Sequence, residues 1–115
     1  MAEDCVFCKI VKGEINAEKV YEDERTVAFK DLNPVAPHHV LIIPRQHIAS
    51  MNEFTDEQEG LLGHIFTAAA KVAKDLGIAE SGYRCVINNG RGAGQLVFHM
   101  HVHLLGGRDM DWPPG

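Results

Sequence analysis

Three histidines stand at alternate positions, His99, His101 and His103, in the run Phe98-His-Met-His-Val-His-Leu-Leu105. Alternation is the period of a β-strand. An extended segment would send all three imidazoles to one face, and Met100, Val102 and Leu104 to the other, toward a core. At about 3.3 Å of rise per residue, adjacent same-face imidazoles lie roughly 6 to 7 Å apart. Imidazole titrates near neutral pH and serves as base, acid, nucleophile or metal ligand. Three on one strand face mark a reaction site or a metal site, and the spacing alone leaves both open.

The segment just before the histidines is Asn89-Gly-Arg-Gly-Ala-Gly94. Gly90, Gly92 and Gly94 let a backbone approach a ligand closely and turn its N–H groups inward, one way to cradle phosphate. A tight connection between strands explains the same glycines. Set beside the histidines, the loop suggests phosphate held next to an imidazole nucleophile. His39 opens another apolar run, and His64 falls in a helical pattern as a surface or core-edge histidine. The third cysteine, Cys85, alternates within a strand and reads as a small core residue.

These residues need elements to position them. Cys5 to Lys12 carries Phe7, Ile10 and Val11 at helical spacing and meets Gly13, a helix stop. Lys19–Glu22 and Thr26–Asp31 read as strands joined by the Asp23-Glu24 turn, and Asp31-Leu-Asn-Pro34 breaks the pattern. His39–Ile43 is β-branched and apolar, a central strand that Pro44 ends. The clearest helix runs from about Asp56 to Leu76. Thr55 and Gln58 form a capping-box pattern, and Leu61, Leu62, Ile65, Phe66, Ala69, Val72, Ala73 and Leu76 form one stripe. Arg84–Asn88 is a further strand. The expected fold is α+β: an antiparallel meander of five to six strands with one long helix and a short N-terminal helix.

The chain has 115 residues, 45% of them hydrophobic and 23% charged, the proportions of one globular domain spanning 1–115. A formal net charge of −5 argues against a nucleic-acid or anionic-membrane surface. It leaves room for a small anionic ligand held by local N–H groups. The acidic start Met-Ala-Glu-Asp lacks an apolar signal core, and no apolar run reaches membrane-spanning length. Three cysteines fit reduced thiols in the cytoplasm better than a disulfide framework.

His99-Met-His101-Val-His103-Leu-Leu matches the His-x-His-x-His-x-x signature, x apolar, of the histidine triad superfamily. The resemblance extends to its nucleotide-binding branch through Cys5-Val-Phe-Cys-Lys-Ile10, Phe29-Lys-Asp-Leu-Asn-Pro34, Pro37-His-His-Val-Leu-Ile-Ile-Pro44 and the terminal Trp-Pro-Pro-Gly115. That is nearly the whole chain. The resemblance implies a homodimer that binds purine mononucleotides and cleaves nucleoside 5′-phosphoramidates or acyl-nucleotides at the α-phosphate. By it, His101 is the nucleophile that forms a nucleotidyl-histidine, His103 lies at the reacting phosphate, and His39 orients it. Two easier displacements then replace one difficult hydrolysis.

The same resemblance places Asn88 and the backbone of Gly94, Gln95 and Leu96 around ribose and phosphate. Asp31 accepts from the ribose hydroxyls, Phe7, Ile15, Phe29 and Leu32 wall the base, and Trp112 lies near the partner's site. Read without it, those four apolar residues are core, and Ile15 most plainly so. One position departs: the branch commonly has serine where this chain has Leu96, which cannot donate to a leaving group. Cys5-x-x-Cys8 has the spacing of half a zinc site, and His47 with His99 could complete a Cys₂His₂ set. Similar superfamily members carry such a structural Zn²⁺. Two free thiols on a short helix are the plainer reading. Alternatives to the phosphoramidate reaction are cleavage of dinucleoside polyphosphates and a nucleotide sensor with little turnover.

Overall fold

A computed structural model describes residues 4–115. The elements run α1 (Val6–Val11), β1 (Lys19–Glu22), β2 (Thr26–Lys30), β3 (His38–Pro44), α2 (Glu59–Asp75), β4 (Tyr83–Val86) and β5 (Val102–Gly106). The strands form one five-stranded antiparallel sheet in the order β1-β2-β3-β5-β4. The α+β class, the long helix and the short N-terminal helix are as expected. The strand order departs from a simple meander: α2 carries the chain from β3 across to β4, and the returning β5 inserts between them, antiparallel to both.

Strand alternation divides the sheet into two faces. Ala28, Val40, Ile42, Val102 and Leu104 face α2 and pack with Leu61, Ile65, Ala69, Val72 and Ala73. Val27, Phe29, Leu41 and Ile43 face the other way and pack with Phe7, Cys8 and Ile10 of α1. Met100, Val102 and Leu104 are fully buried in the α2 core, as their alternation requires. Burying side chains of this size contributes about 1.5–3 kcal/mol each, so the alternation fixes which face receives the histidines.

Capping follows local chemistry. The Thr55–Gln58 box is present, but it caps a 3₁₀ turn over Asp56–Gln58, and α2 proper begins at Glu59. His64 on α2 sits at the core edge, with its Nε2 2.8 Å from the Asp23 carboxylate. Asp23 also accepts the Arg25 and Thr26 N–H groups, which closes the β1–β2 turn. β5 ends at Gly106, where an added Cβ would stand 2.5 Å from the Ile78 side chain. No helix among the described residues is long and apolar enough to cross a membrane.

Several expectations need correction. Phe66, assigned to the buried stripe, is exposed, and Ala68 takes a place in that stripe. Cys85 is exposed as well: it shares the open face of edge strand β4 with Tyr83. The histidine strand is shorter than its alternation suggests. β5 starts at Val102, so only His103 of the three lies in the sheet. The ladder stops because β3 reaches Pro44, which has no N–H and gives its carbonyl to the His99 ring. β4 shortens with it, pairing no further than Val86 with His103.

Candidate active site and metal centre

A cleft of about 560 Å³ opens on the α1 side of the sheet. Phe7, Ile15, Phe29, Asp31, Leu32, Asn88, Gly94, Leu96, His101 and His103 all line it. Ile15 is therefore a cleft wall, with 38% of its surface exposed where a core position was the plainer reading. Leu41 and Val97 also line the cleft and were not singled out in the sequence. Leu41 was legible: it shares the face of His39 on β3 and stands opposite His103 in the β3–β5 register.

Gln95 is placed differently from its neighbours. Its side chain is buried, accepts the Gly90 N–H at 2.9 Å, and donates to Ala49 O at 2.8 Å and Val97 O at 3.1 Å. It braces the glycine loop from behind while Gly94 and Leu96 meet the cleft. Gly90 and Gly94 take positive φ, +89° and +90°, which a side-chain-bearing residue adopts only with strain.

Hydrogen-bond partners fix the protons on the histidines. A carbonyl only accepts, so His101 donates Nδ1–H to His99 O at 2.8 Å, and its Nε2 keeps a free lone pair. A backbone amide only donates, so Val35 N–H, 3.1 Å away, makes His39 Nδ1 the acceptor. His39 Nε2 therefore carries a proton, directed at His103 Nδ1 at 2.9 Å with Asp31 Oδ2 at 3.3 Å. His103 in turn keeps its proton on Nε2. The His101 and His103 rings are 5.0 Å apart, closer than an ideal strand would hold them. The site thus pairs an imidazole lone pair with a neighbouring imidazole N–H.

Burial lowers the pKa of all three rings. For His39 and His101 the Asp31 charge opposes that shift, and for His101 the His99 carbonyl does so first. His103 is pushed down to about 4, by burial first and then by repulsion from His101 and His39. Neutral imidazoles suit nucleophilic and hydrogen-bonding roles. Asp31, His39 and His103 cluster closely enough to suggest a metal. The Val35 N–H excludes it, because a metal on His39 Nε2 would force the proton onto Nδ1, where that amide already donates.

The second group is Cys5, Cys8, His47 and His99, whose donor atoms all lie within 4.8 Å of one another. Cys5 Sγ is 3.4 Å and Cys8 Sγ 3.5 Å from His99 Nδ1, and Cys8 Sγ is 3.2 Å from His47 Nδ1. A tetrahedral ion with bonds of about 2.0–2.3 Å separates its donors by roughly 3.3–3.8 Å. His99 donates Nε2–H to Pro44 O at 2.8 Å, which leaves the Nδ1 lone pair facing the sulfurs. Burial, then the Cys5 thiol, raises Cys8 to about 11, so ionising it calls for a nearby cation. The donor set, spacing and tautomer fit a divalent soft-to-borderline metal.

A family model described as the HIT domain matches residues 12–110. The chain belongs to the HIT domain family. It is 53% identical to an uncharacterized HIT-like protein of Synechocystis over the full length of both chains. It is 48% identical to the purine nucleoside phosphoramidase of Escherichia coli K12, over 96% of this chain and 92% of that one. Among solved structures, a HIT family hydrolase from Legionella pneumophila aligns with a TM-score of 0.95 and 52% identity. That match covers 96% of this chain and 99% of the other. The triad signature is thus a family signature, carried here on a HIT fold.

Proposed function

We propose that this protein is a purine nucleotide-binding hydrolase that cleaves nucleoside 5′-phosphoramidates or acyl-nucleotides and releases a nucleoside monophosphate. The observation that carries the reading is the pair of fixed tautomers: the His101 Nε2 lone pair beside the His103 Nε2–H at one cleft. In the first step His101 Nε2 bonds to the α-phosphorus as the bond to the leaving group breaks; a departing amine takes its proton from solvent, and a departing carboxylate needs none. In the second step water displaces the imidazole and gives one proton back to solvent, leaving the monophosphate and free His101. His103 donates to the phosphate, and His39 holds His103 in the donating tautomer. Asp31, next to the Pro34 turn, offers a carboxylate to the ribose hydroxyls, while Phe7, Phe29, Ile15 and Leu32 offer apolar walls to a purine.

Incubation with adenosine 5′-phosphoramidate tests this directly. AMP release, a nucleotidyl adduct on His101 by mass spectrometry, and loss of both in His101→Ala are the expected results. Absence of turnover, or turnover that survives His101→Ala, overturns the reading. A diadenosine polyphosphate assayed in parallel separates the dinucleotide alternative. Leu96 favours the sensor reading, and tight AMP binding by calorimetry with negligible turnover would establish it.

The cluster of Cys5, Cys8, His47 and His99 is read as a structural Zn²⁺ site. Bound zinc would supply the charge that stabilises two buried thiolates and tie α1 to the segment before β5. Elemental analysis of untagged protein is the check. Such a reduced-thiol set suits the cytoplasm. A homodimer is supported by the open edge of β4 and by the exposed Phe66, Tyr83 and Phe98. Sedimentation analysis decides it.

A further inference from the structure

His99 and His101 are neighbours with different tasks, and the peptide between them joins the two. Residues 97–101 precede β5 and take no part in the sheet ladder. One backbone bond, Met100 N–H to Ile48 O at 2.7 Å, ties this stretch to the loop after β3. The His99 carbonyl nonetheless has an exacting role, because it holds Nδ1–H of His101 and so leaves Nε2 bare. That carbonyl shares one planar peptide group with the Met100 N–H, so two anchors hold it: the bond to Ile48 O, one residue after His47, and the His99 side chain. The ring is fully buried, pinned by Nε2–H to Pro44 O and by Nδ1 against Cys5 and Cys8.

A second link runs through α1. Phe7 lies between the two cluster cysteines, and its ring stands edge-on to His101 at 5.1 Å and 89° and to His99 at 5.9 Å and 69°. Cys5 caps the same helix by accepting the Cys8 N–H. Whatever fixes Cys5 and Cys8 therefore also fixes a wall of the nucleophile.

We propose that the Cys5/Cys8/His47/His99 cluster positions the nucleophile, with His99 and Phe7 as the positioning residues that carry its state to the His101 ring. This rests on the reading of His101 as nucleophile and of the cluster as a metal site. Loss of the metal loosens α1 and the 97–101 segment together, and His101 then samples both tautomers and several orientations. A shift of about 1 Å in a reacting group costs on the order of a hundredfold in rate. Of the nucleotide walls only Phe7 lies on α1, whereas Phe29, Asp31 and Leu32 come from β2 and the turn after it, so ground-state binding suffers less than the chemical step.

The test uses zinc-loaded full-length protein and two variants of His47, the cluster ligand that belongs to neither α1 nor the 97–101 segment. His47→Ala should lose zinc, keep its fold by circular dichroism, and lose about tenfold to a hundredfold in kcat, with KM changed by less than about threefold. His47→Cys supplies another soft donor and should restore both zinc and kcat. The imidazole ¹⁵N resonances of His101, read at one fixed pH, should be well separated in the loaded protein. They should move toward each other in His47→Ala.

Metal-free His47→Ala with wild-type kcat and unchanged His101 resonances overturns the proposal, as does wild-type protein that holds no metal. If His47→Ala does not fold, Phe7→Leu in zinc-loaded protein decides. Converging His101 resonances at full metal content support the link, and unchanged resonances overturn it. The resonance measurement needs no turnover, so failure of the hydrolase reading would be seen separately, as a wild-type protein without activity.

Discussion

His39 Nε2 and His103 Nδ1 stand 2.9 Å apart, and the proton between them belongs to His39. The Val35 N–H settles this from outside the pair by occupying His39 Nδ1. His103 must then present N–H to the cleft. His39→Ala removes that control and lets His103 exchange tautomers. The expected loss in kcat is about tenfold to a hundredfold, or roughly 1.4–2.7 kcal/mol. KM should move less, because His39 sits behind His103. Steady-state kinetics with adenosine 5′-phosphoramidate provide the check, and an unchanged kcat would show that the tautomer is fixed by something else.

The same pair makes stability depend on pH. Burial lowers both pKa values in the folded protein, His103 to about 4, whereas an unfolded chain titrates near 6.5. Between about pH 6.5 and 4 the unfolded state binds more protons, so stability falls as pH falls through that window. Above about pH 6.5 this contribution is fully present. The melting temperature should be level above neutrality and decline below 6.5, and His103→Asn should flatten the decline. An equal decline in His103→Asn would assign the dependence to other groups.

The sequence was most legible where one period governed. The α2 stripe, the apolar face of β5 and the β3 run each follow from alternation or helical spacing against a core. Where two demands met, period failed. His99 alternates with His101 and His103, yet its ring turns to the cysteines and Pro44 O, so strand geometry gives way before β5 begins. Phe66 and Cys85 fit their patterns and still lie exposed, since an edge strand or a helix flank carries apolar residues beyond what one chain covers. The cleft walls Phe7 and Phe29 look like core in any periodic reading. Only the family resemblance set them around a ligand.

Gln95 offers a test of the loop that frames the site. Its amide meets three backbone partners in a buried setting, so Gln95→Ala strands the Gly90 N–H and two carbonyls at once. With about 1–3 kcal/mol for each buried group left unpaired, and partial relief by water, the net loss should be about 3 kcal/mol. Urea denaturation measures it. Because Gly94 and Leu96 flank the same residue and line the cleft, KM should also rise, although the Gln95 side chain faces away. A loss under about 0.5 kcal/mol would mean that the loop is held by its own turns.

Leu96 is the position where chemistry and packing separate most cleanly. Its side chain is 89% exposed and borders the cleft that holds His101 and His103. Leu96→Ser removes almost no buried surface, so the unfolding free energy should change by no more than about 0.5 kcal/mol. A hydroxyl there can donate to phosphate or to the departing nitrogen. A neutral hydrogen bond contributes about 1 kcal/mol, which is about fivefold in rate if it forms only in the transition state. The expected result is a rise of that order in kcat with KM little changed. A lower KM at constant kcat would instead place the new hydroxyl on the bound ground state, since uniform binding does not speed the chemical step. No change in either constant would leave His103 as the sole side-chain donor on that side, and the leucine would then cost the enzyme nothing.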